Sequence, residues 1–359
     1  MSDSFTDVSR YAPAFTIKIK GQDLSSDAFK LVSKITVSKE LRKPDRFSFE
    51  MQDEMKEGKL QWVGHSNFTT GNDISITLGY SGNLVQKVEG IITDVSGQFT
   101  QSVASSFTVS GEDKGYRKLT GNSKPVVWQK KKDSEIVSAI ASEVGLSTTV
   151  DATSIQFPER KKKGDTSYFH YIDSLAGKNA SYEFMISEGK LIFRKAKISS
   201  SAVVTINWGV EITEIKPVMN LSQMVTEVQV KSWDQKQKKL IMGSATAGQE
   251  PNQEGSNTLG TSKAKTAYGE ILKVINEIPV ETVEEAKEVA LAHLVEIGNQ
   301  FIKANITCIG IPEIMPGVCV EVKGVGANFE GKYYVEKSVH TISKDGYTTE
   351  FDGRRNSVK

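Results

Sequence analysis

Two stretches of this sequence share one layout: GIITDVSGQFTQSVASSFTVSG at residues 90–111 and GKYYVEKSVHTISKDGYTTEFDG at residues 331–353. Each opens and closes with glycine and reads as two alternating strands, the pattern of a β-hairpin. Each also follows an alternating strand, at residues 74–78 and 318–322, and a glycine-rich turn. Two interpretations stay open: two common hairpins that are alike by chance, or a β-barrel that occurs twice in the chain.

The rest of the first 120 residues also has the period of β-strands. Apolar side chains alternate with polar ones at residues 15–19, 47–51 and 107–109. Turn residues separate these runs, as at residues 71–73. Several short strands at this spacing are typical of an antiparallel barrel or sandwich. We therefore predict a first β-barrel at residues 1–122.

The middle of the chain predicts a small α+β linker domain at residues 123–200. Asp133 is a suitable cap for a helix whose apolar face ends at Val144, where Gly145 is the stop signal. A second helix is predicted at residues 167–176, and a hairpin follows at residues 182–193.

Strand patterns return after residue 201 and predict a second β-barrel at residues 201–245 and 300–359. The insertion between them, residues 246–299, is expected to hold a flexible loop and a helix. Residues 243–262 contain almost nothing apolar except Leu259, which predicts a long mobile loop. Thr282 and Glu285 form a T-x-x-E capping box that opens the strongest predicted helix. The predicted fold class is mainly β with α+β insertions: two antiparallel β-barrels linked by smaller α+β domains.

Composition excludes several classes of protein. Lys and Arg number 45 against 44 for Asp and Glu, so no overall field favours nucleic acid or an anionic membrane. No apolar run approaches the ~20 residues that span a bilayer, and MSDSFTDVSR at the amino terminus lacks a signal-peptide core. Cys308 and Cys319 are too few for a disulfide framework or a four-cysteine zinc site. We expect a protein made in a reducing cytosol.

No catalytic constellation stands out in the sequence. The histidines are His65, His170, His293 and His340. No two of them have metal-ligand spacing, and structural roles are expected for each. The Gly324-Val325-Gly326 turn lacks both the G-K-[ST] ending and the following helix of a phosphate loop. We therefore expect no catalytic, cofactor-binding or metal-binding residues, and no enzyme.

Charged clusters each have a structural and a functional reading. Four glutamates, at positions 281, 284, 285 and 288, could form an acid/base pair or a cation site, but acidic residues are also expected at the start of a helix. Three basic runs are predicted to lie in loops: Lys130-Lys131-Lys132, Arg160-Lys161-Lys162-Lys163, and Lys236 with Lys238-Lys239. They are either solvated or a surface for an acidic partner. They lack interleaved aromatic residues, so no specific nucleic-acid binding is expected.

Four segments, in the same order, resemble one known family. They are VSGEDKGYRKLTGNSKPVVWQKKKDSEIVSAIASEVGL (109–146), DTSYFHYIDSLAGKNASYEFMISEGKLIFRK (165–195), VTEVQVKSWDQKQKKLIMGSA (225–245) and TCIGIPEIMPGVCVEVKGVGANFEGKYYVEKSVHTISKDGYTTEF (307–351). Together they are similar to phage late control D proteins, the central hubs of contractile-tail baseplates, which are related to the hub portion of VgrG. The resemblance extends from about residue 10 to residue 353.

The resemblance implies a structural protein. Such hubs have two barrels like the tail-tube protein and form homotrimers, so that six barrels make a pseudo-sixfold ring. One face of the ring then binds the hexameric inner tail tube, and the other binds a trimeric spike, with other baseplate proteins around it. Such a hub is made in the bacterial cytoplasm and assembled into the virion or injection-particle baseplate.

The sequence departs from VgrG in that it ends at Lys359 without an OB-like module or a needle, so we expect the spike to be a separate chain. Two other classes stay open. A β-rich module that binds glycans or a host surface predicts grouped aromatic residues, whereas Trp62, Trp128, Trp208 and Trp233 are scattered in the sequence. A cell-wall hydrolase predicts a catalytic acid, for which the sequence offers no convincing candidate.

Overall fold

A computed structural model describes residues 12–359 except 54, 101–102, 122–123, 236, 252 and 256. The predicted fold class, mainly β with α+β insertions, is confirmed. We call the first β-rich part the N-unit. It contains β1 Pro13–Ile19, β2 Gln22–Asp23, α1 Ser26–Lys30, β3 Val32–Glu40, β4 Arg46–Gln52, β5 Met55–Lys56, β6 Lys59–Leu60, a 3-10 turn at Ser66–Phe68, β7 Asp73–Tyr80, β8 Asn83–Thr100 and β9 Val103–Asp113.

A linker domain follows the N-unit. Its elements are α2 Lys114–Thr120, β10 Val126–Lys132, α3 Asp133–Glu143, β11 Ser147–Val150, β12 Gln156–Lys162, α4 Tyr168–Lys178, β13 Tyr182–Ser187 and β14 Lys190–Lys195. Helices α3 and α4 share an apolar core with the sheet β11-β14-β13. The two helices and the hairpin were predicted, although Asp133 is the first residue of α3 and Lys132 is its N-cap. Helix α2 was not predicted.

The rest of the chain contains β15 Ala202–Asn207, β16 Ile212–Met219, β17 Glu227–Asp234, β18 Lys239–Thr246, β19 Thr258–Leu259, α5 Gly260–Tyr268, β20 Leu272–Ile275, α6 Val283–Gly298, β21 Ile302–Ile309, β22 Cys319–Lys323, β23 Gly331–Ser343, β24 Gly346–Arg355 and β25 Ser357–Val358. We call β15, β16 and β21–β24 the C-unit. The N-unit and the C-unit belong to one sheet of 13 strands, and β3 and β23 are the strands that join them.

The two units have the same strand order. The N-unit runs β1-β7-β8-β9-β4-β3 across the sheet, and the C-unit runs β15-β22-β23-β24-β21-β16. Each of these six strands therefore has a counterpart in the other unit, and the counterparts come in the same order along the chain. One pairing differs in direction, because β1 is antiparallel to β7 whereas β15 is parallel to β22. This correspondence favours a duplicated unit over chance likeness.

Irregular features occur at equivalent places in both units. The strand β3 has a bulge between Val32 and Lys34, and its counterpart β16 has one between Ile212 and Glu214. In the long hairpins, β8 has a bulge after Ile92, opposite Gly111, and β23 has one after Val335, opposite Gly353. A bulge is a specific feature of a fold, so two at matching positions strengthen the equivalence.

A glycine turn also matches. Gly71 donates its N–H to the carbonyl of Ile92 at 2.8 Å, and Gly317 donates to the carbonyl of Val335 at 2.9 Å. Both glycines have positive φ, +91° and +85°, which only glycine adopts easily. The closing glycines of the two hairpin sequences are thus equivalent. The opening ones are not, since Tyr333 stands where Gly90 does and Gly331 precedes it by two residues.

Part of the predicted second barrel lies elsewhere. The hairpin β17–β18, within the segment 201–245, pairs with β20 in a separate three-stranded sheet. One face of this sheet buries Val228, Val230 and Ile241 against α6. The apolar face of a hairpin needs a cover, and the amphipathic helix that follows supplies it.

The predicted loop at residues 243–262 is wrong in part. The strand β18 continues to Thr246, and α5 begins at Gly260. Between them β19 pairs with β25 through Thr258↔Val358 and Leu259↔Ser357. Strand and helix therefore occupy both ends of that segment. Within the described residues, no helix is long and apolar enough to cross a membrane.

Candidate functional site

The joint between the N-unit and the C-unit is an antiparallel ladder of seven residue pairs, from Ser343↔Lys34 to Lys337↔Glu40. Alternate pairs face the core, and Ile35 and Val37 are fully buried there. The ladder continues at Leu41, whose N–H donates to the carbonyl of Glu336 at 2.9 Å. The two units are thus continuous through main-chain hydrogen bonds.

His340 lies inside this joint, opposite Val37, and is fully buried. Its Nε2 is 2.8 Å from the carbonyl oxygen of Ile314, and its Nδ1 is 2.9 Å from the hydroxyl of Tyr347. A neutral ring that donates from Nε2 and accepts at Nδ1 satisfies both contacts. Burial lowers the pKa of His340 to about 4. The ring thus makes its hydrogen bonds within the joint.

A buried ion pair lies near the carboxyl end of β3. Lys39 Nζ is 3.6 Å from Asp45 Oδ2, and both side chains are buried. Ser187 of the linker domain donates to the same carboxylate at 3.3 Å. Burial raises the pKa of Asp45 to about 7, although the Lys39 cation favours the charged form. These contacts fix the linker domain against the N-unit.

A buried ion-pair network joins the linker domain to α6. Arg160 Nε donates to Asp133 Oδ1 at 3.1 Å, and Arg160 Nη1 donates to Glu285 Oε1 at 2.8 Å. Both carboxylates are almost fully buried, and Asn179 also donates to Asp133. Thr282 has its predicted capping role, since its Oγ1 accepts the N–H of Glu285 at 3.1 Å, whereas the Glu285 carboxylate accepts the N–H of Glu281 at 2.8 Å. The same carboxylate also reaches across to another domain.

A second network joins the linker hairpin to the C-unit. Glu183 accepts hydrogen bonds from Arg194 at 3.1 Å and from the hydroxyl of Tyr334 at 2.7 Å. Arg194 also donates to the carbonyl of Gly317 at 3.1 Å. Burial beside the Glu183 carboxylate raises the pKa of Tyr334 above its ordinary value. These polar contacts hold the three parts of the chain in a defined arrangement.

Several strands of the main sheet have a free edge among the described residues, among them β15, β16 and the second half of β8. The strand β16 pairs with β21 and with no second strand, and β8 beyond Ile92 pairs with β9 alone. Large apolar side chains are exposed at both edges: Val218 is 59% exposed and Phe99 is 53% exposed. Free edges of this kind can accept another strand.

The small sheet β18-β17-β20 exposes several large apolar side chains on the side away from α6, together with Glu227, Gln229 and Lys231 of its central strand. Trp233 and Leu240 stand opposite each other there, 59% and 56% exposed. Met242, Leu272 and Val274 lie on the same face. Of the other tryptophans, Trp128 stacks on Tyr171, whereas Trp208 is 49% exposed.

The remaining histidines have local contacts, and both cysteines are buried. His65 caps the 3-10 turn, His170 contacts Ser167 at 2.8 Å, and His293 lies 3.8 Å from Glu296 on α6. Cys308 and Cys319 are buried thiols. The Gly324–Gly331 segment connects β22 to β23, as its strand context predicted. In the described part of the chain, no group of three potential metal ligands occurs.

The predicted placement of the basic runs in loops is wrong for two of them. Residues 130–132 end β10 and residues 160–162 end β12, and these strands pair with each other in an antiparallel ribbon. The ribbon exposes Lys131 and Lys161, whereas Lys162 is buried and donates to two main-chain carbonyls. In the third run, Lys238 and Lys239 adjoin the β17–β18 turn, and Lys236 lies outside the described residues.

A cleft of about 530 Å³ lies between the linker domain, α6 and the C-unit. Its lining mixes both signs of charge, with Arg42, Lys216 and Lys303 among the cations and Glu183, Glu296 and Glu336 among the anions. Such a mixed lining does not select one class of ligand. The joint between the two units and the free strand edges are therefore the stronger candidates for a functional surface.

Solved structures with this arrangement include phage tail proteins and a type VI secretion component. The 43 kDa tail protein of prophage MuSo2 from Shewanella oneidensis aligns with a TM-score of 0.73 at 15% identity, over 96% of this chain and 99% of that one. A tail protein from Neisseria meningitidis MC58 gives 0.70 at 14% identity, over 97% and 98%. The E. coli c3393 protein, a type VI secretion component similar to the T4 tail proteins gp27 and gp5, gives 0.59 at 11%, over 95% and 77%.

The chain thus has the fold of phage tail proteins. The model of the family described as the Alg8 N-terminal domain matches residues 9–344, and the chain belongs to that family. No curated protein matches this chain. The late control D assignment, which is finer than these findings, stays a prediction.

Proposed function

We propose that this chain is the structural hub of a contractile phage tail or a tail-like injection system, where it joins the inner tube to the spike. The observation on which this rests is the duplicated unit: six equivalent strands occur twice in one chain, with bulges at matching positions. Three such chains provide six similar units around one axis. A trimer of this kind can match a sixfold tube on one face and a threefold spike on the other.

In this proposal each unit closes into a barrel of the tail-tube type, and the linker domain and α6 brace the two barrels. The spike is a separate trimeric chain, and the other partners are the inner tube protein and neighbouring baseplate proteins. The protein is made in the bacterial cytoplasm, is assembled into the particle and has no catalytic role. The tail-protein fold and the resemblance to late control D proteins support it.

Light scattering tests this function on the purified chain, alone and with the candidate spike protein. A species of about 118 kDa, three times the 39.4 kDa of one chain, supports the hub. So does a stable complex of three hub and three spike chains. A monomer that binds no spike candidate contradicts it.

The exposed face of β18-β17-β20 favours a second candidate, a module that binds glycans or a host surface. An exposed tryptophan beside other apolar side chains is a suitable platform for such a ligand. A glycan array distinguishes this candidate from the hub. Binding that is lost in Trp233→Ala, by a protein that stays monomeric, would support the module.

A further inference from the structure

The duplicated unit predicts a second joint, equivalent to the one between β3 and β23, but the two strands that would form it are not paired with each other within the chain. Within the chain, β3 of the N-unit pairs with the second half of β23 in the C-unit. The counterpart of β3 is β16, and the counterpart of β23 is β8. Both β16 and the second half of β8 keep a free edge among the described residues, as does β15. Because the structure does not pair these two edges within the chain, the same joint can form between two chains.

We propose that β16 of one copy of this chain pairs with the second half of β8 of another copy, in the register of the β3–β23 joint. The bulges define the register, since Thr213 corresponds to Ser33 and Thr93 to Glu336. The intrachain pair Val339↔Ser38 then becomes Ser96 opposite Val218 between chains. This inference rests on the proposed function only for the closure of the ring at three copies.

Exposed apolar side chains occur where the joint would cover them. Phe99, the extra residue of a second bulge in β8, is 53% exposed, whereas Ile342, at the same distance along β23, is 7% exposed in the intrachain joint. Ile215 is half-buried, and its counterpart Ile35 is fully buried. Burial of apolar area is the main source of association energy. The second joint would bury apolar side chains on both strands, as the first joint does.

The central pair of the new joint would be Pro217 and Gly97, the counterparts of Val37 and His340. The N–H of Asn220 points to Phe301, so the alternation along β16 directs the nitrogen of Pro217 to the free edge. Proline has no N–H, which costs the joint one hydrogen bond and also discourages pairing in other registers. Gly97 opposite it has no side chain, and the ring of Phe99 covers the position that a Cβ would take. No like charges face each other, since Lys216 would lie opposite Gln98.

Disulfide cross-linking tests the pairing. Because odd-numbered residues of β3 direct their N–H groups to β23, Ser38 and Val339 form a non-hydrogen-bonded pair, and Val218 and Ser96 would too. Such pairs have Cα atoms about 4.5 Å apart, within the range of a disulfide. The double variant Ser96→Cys/Val218→Cys should convert the monomer into covalent dimers and trimers on non-reducing gels. The native thiols are buried and should not interfere.

Two variants serve as controls. Ser38→Cys/Val339→Cys places the same pair in the intrachain joint and should form a disulfide at monomer mass. Asp94→Cys/Val218→Cys shifts the register by two residues and should give far less cross-linking. Equal cross-linking in the shifted pair would overturn the proposed register.

The outcomes separate this inference from the proposed function. Cross-linking that stops at the trimer supports both. A ladder that continues beyond the trimer supports the strand pairing and contradicts the closed hub. A parent chain that is trimeric by light scattering but gives no cross-link at 96 and 218 overturns the pairing and leaves the hub intact. A parent that stays monomeric, with no cross-link in the variant, overturns both.

Discussion

Ser33 and Thr213 occupy the same position in the two units and make the same hydrogen bond. Ser33 Oγ donates to the carbonyl of Glu50 at 3.3 Å, and Thr213 Oγ1 donates to the carbonyl of Thr307 at 3.1 Å. Each is the extra residue of a bulge, where a hydroxyl can satisfy a carbonyl that the distorted ladder leaves open. The duplication is therefore visible in the backbone and its local chemistry even where side chains differ.

The closing glycines of the two hairpins should differ in their tolerance of a methyl group. A Cβ at Gly111 would overlap the Ile91 carbonyl and the Phe47 ring, whereas at Gly353 the nearest atom is the Tyr333 Cβ at 3.0 Å. We expect Gly111→Ala to cost about 1–3 kcal/mol of unfolding free energy, since backbone must move, and Gly353→Ala to cost less. Urea denaturation measures both.

Gly64→Ala is the control for this comparison, because nothing lies within 4 Å of a Cβ there. It should leave the denaturation midpoint almost unchanged. Equal losses at positions 111 and 353 would show that the backbone approach at β8–β9 is not the tighter one.

His340 should make stability depend on pH in the acidic range. Its pKa is about 4 in the folded chain, against an ordinary value of 6.5, so the unfolded chain binds more protons between these values. Its contribution is complete above pH 6.5 and is lost as pH falls towards 4, by up to about 1.4 kcal/mol per pH unit. His340→Gln should remove this slope from a series of urea midpoints. His170→Gln, which replaces an exposed ring, should keep it.

Asp45 should have the opposite effect. Its pKa is raised to about 7 from 3.8, so the folded chain binds more protons between these values. Its contribution is complete below pH 3.8 and is lost as pH rises through 7. Asp45→Asn should therefore flatten the decline towards pH 7 and expose the slope of His340. An unchanged profile in Asp45→Asn would show that the carboxylate stays charged beside Lys39.

The sequence predicted the elements better than their partners. Alternating residues such as Phe47 and Phe49 identified strands because burial on one face of a sheet requires a period of two. The same pattern in β17 and β18 could not reveal their sheet. That choice depends on the apolar face of α6, which lies about 40 residues further along the chain.

The joints were outside the reach of sequence reasoning. Arg160 stood in a lysine-rich run that resembled solvated charge, yet its guanidinium lies between two buried carboxylates. The acidic start of α6 had a sufficient local explanation in the helix dipole. Only the fold shows that Glu285 also faces the linker domain. The hairpin repeat was the one sequence signal of the duplicated unit, and its closing glycine, not its opening one, was the equivalent position.

Neutralising Arg160 should destabilise the protein far more than neutralising its neighbour Lys161. Arg160→Met leaves Asp133 and Glu285 buried without their cation, which should cost about 3–5 kcal/mol. Lys161 pairs with Glu159 at the surface, both side chains at least 40% exposed, so Lys161→Met should cost less than about 1 kcal/mol. Urea midpoints of the two variants provide the comparison.

A double variant tests whether the loss comes from the unpaired carboxylate. If it does, Glu285→Gln should offset part of the cost of Arg160→Met, so the loss in the pair should be smaller than the sum of the single losses. The double change removes both charges at the contact between the linker domain and α6. Strict additivity would mean that Arg160 acts through packing on Phe157, whose ring centroid is 3.4 Å from the guanidinium carbon, and that the ion pair contributes little.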